Sequence, residues 1–146
     1  MKTWIACGFL LLVGLYSTTP GFAQESVFDG FMLIGNNIGL ATMTEDEAMN
    51  AIQGKKSVWA NGKPILVVLP NTRNAGSAVI SRRFFSTNPQ GMHRYWLSQV
   101  FQGRTNAPVF LENWDDIVYK VREVEGALAL VPRGTPVPSS LVIPIR

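Results

Sequence analysis

One cysteine and one histidine in 146 residues leave little scope for nucleophilic or metal chemistry. The cysteine, Cys7, lies inside the apolar run from Trp4 to Tyr16, which follows the charge of Lys2 and precedes the breaker Pro20 and the small-x-small pattern Gly21-Phe22-Ala23. That layout is a secretory signal peptide, with cleavage expected after Ala23. The run is shorter than the roughly 20 residues a membrane-crossing helix needs, so removal is expected rather than retention as an anchor. Cys7 sits deep in the run, not at its end, and so lacks the placement of a lipid-modified cysteine. The expected mature chain, residues 24–146, has no disulfide, no thiolate nucleophile and no cysteine metal site, and must be held together by its apolar core.

Charge is also scarce, at 16% of residues with a net +3 at pH 7. Lys2 leaves with the signal, so the mature balance is milder still. Basic residues occur as Lys55-Lys56, Arg82-Arg83 and isolated positions, and no dense run interleaves with aromatics, which argues against a nucleic-acid partner. No internal repeat or low-complexity tract is apparent. The mature length is that of one domain with one sizeable core, and leaves no room for a second.

What is present alternates between short apolar runs and amphipathic segments. Phe31-Met32-Leu33-Ile34, followed by Gly35-Asn36-Asn37, predicts a buried strand entering a loop. Thr44 and Glu47 have capping-box spacing, so a helix is expected from Glu45 to Gln53, stopped by Gly54. Asn61-Gly62 marks a tight turn before a strand over Ile65–Leu69. A helix starting near Ser77 presents Val79, Ile80, Phe84 and Phe85 to the core. Asn88-Pro89 starts the next helix, with Met92, Trp96, Val100 and Phe101 on one face and Gly103 at its end. Asn113 caps a last helix carrying Trp114, Ile117, Val118, Val121 and Val124, which Gly126 stops. Ala127–Val131 reads as a buried strand, and Leu141–Ile143 as a final short one after the proline-rich link. This alternation favours an α/β layer architecture.

Few side chains offer chemistry. His93 has no nucleophile to pair with and reads as a surface or packing residue. Asp115-Asp116 and Glu45-Asp46-Glu47 fall in first helical turns, where carboxylates favour the dipole, so neither reads as a metal or acid/base site. Trp59, Trp96 and Trp114 read as core. No catalytic residue, metal ligand or cofactor is expected, and the chain does not read as an enzyme. The exception is Arg73-Asn74-Ala75-Gly76-Ser77, where an apolar strand turns through a glycine-containing loop into a helix. Such a turn aims backbone N–H groups and a positive helix end at one spot, which suits an anion. In the alternative reading, Asn74 or Ser77 caps the helix and Gly76 relaxes the turn.

From Leu40 to Pro132 the chain resembles the phosphate-type substrate-binding proteins of bacterial ABC transporters. The residues that carry the resemblance are Ile52–Lys63, with its Gly-Lys, Trp59 and Asn61-Gly62; the aromatic segment Tyr95–Gly103; and Val124–Pro132. The resemblance implies a single-lobe periplasmic-binding-protein-like three-layer α/β sandwich with a mixed, mostly parallel sheet. It also implies a periplasmic, non-enzymatic module that binds phosphate or a similar small oxyanion through Arg73, Asn74, Gly76 and Ser77. The family loop runs Arg-x-Asp-Gly-Ser-Gly-Thr. Arg73, Gly76 and Ser77 match it, whereas Ala75, Ala78 and Val79 replace the Asp, the second Gly and the Thr. Those replacements remove an acceptor for a protonated phosphate and a hydroxyl donor. Tight-binding members close two lobes on the ligand, and this chain has length for one. The alternative is a ligand-free interaction module, presenting a surface to a membrane sensor, a transporter or a second copy of itself.

Overall fold

The computed structural model describes Gly21 and residues 23–146, so the expected signal segment lies outside the described residues save for Gly21 and Ala23. Four apolar runs form the sheet: β1 (Phe31–Gly35), β2 (Leu66–Pro70), β3 (Val109–Leu111) and β4 (Ala127–Pro132). The helices are α1 (Glu45–Ile52), α2 (Ser77–Phe85), α3 (Pro89–Phe101) and α4 (Trp114–Glu123), with a 3-10 turn at Ser139–Leu141. Strand order is β1-β4-β2-β3. β4 lies antiparallel to β1, with Leu33 opposite Leu130, and parallel to β2, with Val67 opposite Leu128. β2 lies parallel to β3, with Val68 opposite Val109. β4 is buried from Ala127 to Val131, as expected of a strand covered on both faces.

The two-residue strand period sorts the core into two layers. Leu33, Val67, Leu69, Leu128 and Leu130 pack with Ile52 of α1, Ile80 and Phe84 of α2 and Met92 and Trp96 of α3. Ile34, Val68, Ala127, Ala129 and Val131 turn the other way, onto Ile117, Val118 and Val121 of α4. The result is the expected α/β three-layer arrangement, with α1–α3 on one face and α4 on the other. Trp59 and Trp96 are core residues, as expected. Gly126, at φ +86°, joins α4 to β4. Its N–H donates to the Asn36 carbonyl at 2.7 Å and its carbonyl accepts from Trp59 Nε1 at 2.9 Å. A Cβ there would collide with the Pro64 carbonyl, so glycine is required by both angle and space.

Four expectations need correction. Leu141–Ile143 is not a strand: Leu141 ends the 3-10 turn and Val142 makes only an isolated bridge to Ile34. Pro138 and Pro144 flank the segment and cannot donate to a ladder. Phe101 does not join the core face of α3 and is 86% exposed. It lies five residues beyond Trp96, about 140° further round the helix. Asn113 stands at the N-cap of α4, but its Nδ2 donates to Asp116 Oδ2 at 3.0 Å and its side chain accepts no helix N–H. Finally, β3 is a strand that the sequence reading did not anticipate.

Candidate functional site

The loop 71–76 leaves the carboxyl end of β2. From β2 the chain reaches β3 through α2 and α3 on one face, then returns through α4 on the other face to β4. Crossovers on opposite faces open a crevice at this strand end, the usual ligand position in open α/β sheets.

The loop is built by two asparagines. Asn71 donates its N–H to the Leu111 carbonyl at 2.8 Å, its Oδ1 accepts from Arg73 N–H at 2.9 Å, and its carbonyl accepts from Asn74 N–H at 3.1 Å. Asn74 is 8% exposed. Its Oδ1 accepts from Gly76 N–H at 2.8 Å, its carbonyl accepts from Ser77 N–H at 3.1 Å, and its Nδ2 donates to the Glu112 carbonyl at 2.6 Å. Asn74 therefore ties the start of α2 to the segment that leads into α4, using two amides of the expected anion loop.

The other expected site residues are placed as follows. The Arg73 side chain is 77% exposed, and its Nη1 lies 3.4 Å from Glu112 Oε2. Gly76 is the N-cap of α2 and lies against the indole of Trp114, which a Cβ at this position would strike. Ser77 is fully buried, and its Oγ has no partner among the described residues. The N–H groups of Ala78 and Val79, the next two of α2, likewise have none among the described residues. The structure thus brings Arg73, Asn74, Gly76 and Ser77 into one loop. It adds Glu112 and Trp114, which sequence reasoning missed because nothing local links them to residues so far back in the chain.

Elsewhere, His93 stacks on Phe110 at 3.8 Å between ring centroids, and burial holds its pKa below the ordinary imidazole value. Asp115 and Asp116 are exposed in the first turn of α4. Among the described residues no group of three or more His, Cys, Asp or Glu could hold a metal, and no helix is long and apolar enough to cross a membrane.

No protein-family model matches the chain, and no curated protein matches it. Its fold is similar to the crystal structure of an ABC-type phosphate transport receptor from Vibrio cholerae. The two share 14% identity with a TM-score of 0.51 over 83% of this chain and 48% of the receptor. The fold is therefore that of a periplasmic-binding-protein-like single lobe. The chain spans about half the length of the receptor, and at this identity the likeness is one of fold.

Proposed function

We propose that this protein is a non-catalytic binding module, exported to the periplasm through residues 1–23, whose ligand is a protein partner in the cell envelope. The observation that supports this reading is that the Gly76 and Ser77 amides and the Arg73 guanidinium are engaged within the chain. Asn74 takes the Gly76 amide, the Asn74 carbonyl takes the Ser77 amide, and Glu112 faces Arg73. An anion entering here would have to compete with the Glu112 carboxylate, in a loop exposed to water where each charge-assisted bond is weakened. Calorimetric titration with phosphate and with sulfate tests it. No heat is expected at millimolar anion, and saturable binding would refute it.

The second reading is a small oxyanion, phosphate or similar, held in connection with ABC-type transport or sensing. It is favoured by the Ser77 Oγ and the Ala78 and Val79 amides, which have no partner among the described residues. It requires the Trp114 ring to move from Gly76 and Arg73 to leave Glu112. With Ala75 and Val79 where the family loop has Asp and Thr, its dissociation constant should be no tighter than about the micromolar-to-millimolar boundary.

A further inference from the structure

We infer that the outward face of α3 docks the protein on an anionic lipid bilayer, with Leu97 and Phe101 entering the interface and Arg94 and Arg104 meeting the headgroups. The inference goes beyond the protein-partner reading and is independent of what the loop 71–76 binds. Along α3 a step of about 100° per residue puts Arg94, Leu97 and Phe101 within about 60° of one another, on the side opposite the buried Met92 and Trp96. Leu97 is 56% exposed and Phe101 86%, so this face presents two apolar side chains to solvent. The apolar surface continues past Leu97 into a groove lined by Val100, Pro108 and Phe110. Arg104 is held at the same end of the helix as Phe101. Its N–H donates to the Gln99 carbonyl at 3.0 Å, closing α3 around Gly103 at φ +66°. Burial raises the pKa of Tyr95 and the Arg104 charge opposes that rise, which puts the guanidinium on the Tyr95 flank of α3.

Charge complementarity selects the occupant. The stretch from Ala48 to Leu111 carries eight of the 13 Lys and Arg and none of the ten Asp and Glu. All of α2 and α3 lies within it. Among the described residues neither Arg94 nor Arg104 is in a salt bridge. The other face of the sheet makes the contrast. Its helix α4 also exposes an aromatic, Tyr119, but at the neighbouring i±3 and i±4 positions stand Asp115, Asp116 and Glu123 against Arg122 alone. A negatively charged surface therefore attracts the α3 side and is repelled around Tyr119. An acidic protein would also satisfy the arginines, but a protruding Leu and Phe need a matching socket on a protein and none in a bilayer. Apolar side chains flanked by arginine on one helix face are the pattern of an interfacial helix.

The test uses the exported protein freed of residues 1–23, so that the apolar run Trp4–Tyr16 does not itself enter a bilayer; both core layers lie beyond that segment. Binding is read by flotation with phosphatidylcholine vesicles and with vesicles that also contain phosphatidylglycerol. Insertion is read by the emission of Phe101→Trp against that of wild type. The phosphatidylglycerol vesicles should bind the protein and shift the variant's emission to the blue, with pure phosphatidylcholine weaker by about tenfold or more. Arg94→Glu with Arg104→Glu should lower partitioning by about 25-fold or more, at about fivefold for each charge. Leu97→Ser with Phe101→Ser should lower it by about tenfold or more. Tyr119→Ser on α4 should leave binding unchanged, and circular dichroism should show an intact fold in every variant. No binding to phosphatidylglycerol vesicles, equal binding to both vesicles, no blue shift, or unchanged binding by either double variant would overturn the inference. Binding to a polyglutamate peptide with none to vesicles would also overturn it, in favour of an acidic protein. So would a dimer in sedimentation equilibrium that Leu97→Ser with Phe101→Ser dissolves, if vesicles do not bind.

Discussion

The starts of α1 and α2 solve one problem in opposite ways. Each helix begins with backbone N–H groups that lack intrahelical partners. At α1, Thr44 Oγ1 accepts from Glu47 N–H at 3.2 Å and Glu47 Oε2 accepts from Thr44 N–H at 2.8 Å, with Glu45, Asp46 and Glu47 all in the first turn. At α2, among the described residues, no side chain caps the helix amides and the buried Ser77 hydroxyl has no partner, and no acid occupies the first turn. What holds α2 comes from outside it. Asn74 bridges to Glu112, and the Trp114 ring covers Gly76. The first start is a local device that stands by its own sequence; the second is a joint between β2, α2 and α4. A joint of this kind makes the loop depend on the far segment, and it is why the expected anion loop has fewer groups left for a ligand.

The sharpest way to break that comparison is to disturb the joint. Gly76→Ala should cost about 1–3 kcal/mol, because its Cβ meets the Trp114 ring and one or the other must shift. Its φ of −79° is open to any residue, so space rather than backbone strain is the cause. In a Trp114→Ala background the same substitution should cost less, and a double-mutant cycle read by urea unfolding should show coupling of at least about 0.5 kcal/mol. Strict additivity would mean that the ring yields freely and does not hold the loop.

At α1 the expected effect is smaller and purely local. Thr44→Ala should cost about 1 kcal/mol in urea unfolding, with no coupling to Trp114. The same box has a pH signature. Glu47 has a pKa below the ordinary carboxylate value, first because the Thr44 backbone N–H donates to it and then because of the Thr44 side chain. A folded pKa below the unfolded one gives stability that is present above the unfolded pKa and lost as pH falls through the folded one. Glu47→Gln, which keeps a side chain able to cap, should therefore lose less stability than wild type on acidification below the ordinary carboxylate range. Parallel acid limbs for the two proteins would show that the box acts without its charge.

The same contrast explains what could be read in advance. The start of α1, the Asn88-Pro89 start of α3, the buried run of β4 and the apolar face of α4 are set by residues within a few positions of each other, and the structure has them. The α/β layering follows from their alternation. β3 was not legible, because Val109-Phe110-Leu111 is three half-buried residues after a proline and becomes a strand only through β2. The loop 73–77 was legible as a strand-to-helix turn, with its four expected residues together. Its connection to Glu112 and Trp114 was not, since no periodicity or spacing ties residues some forty positions apart. The acid-free stretch between Glu47 and Glu112 is visible in the sequence, but only the topology puts α1, α2 and α3 on one face of the sheet.

The smallest expected effect on stability carries the most information about the ligand. Arg73 and Glu112 form an exposed pair at 3.4 Å, so Arg73→Ala or Glu112→Gln should change stability by no more than about 1 kcal/mol. Their effect on phosphate is the discriminating one. If the start of α2 is a closed joint, wild type, Arg73→Ala and Glu112→Gln should all titrate flat, because the Gly76 and Ser77 amides remain engaged by Asn74 whichever way Arg73 points. Restoring the family residues with Ala75→Asp and Val79→Thr should also leave the titration flat while Trp114 covers Gly76. A different pattern would break the comparison: heat from Glu112→Gln that disappears when Arg73→Ala is added. The carboxylate would then have been masking an anion seat, and the unpaired Ser77 hydroxyl with the Ala78 and Val79 amides would be the groups that fill it.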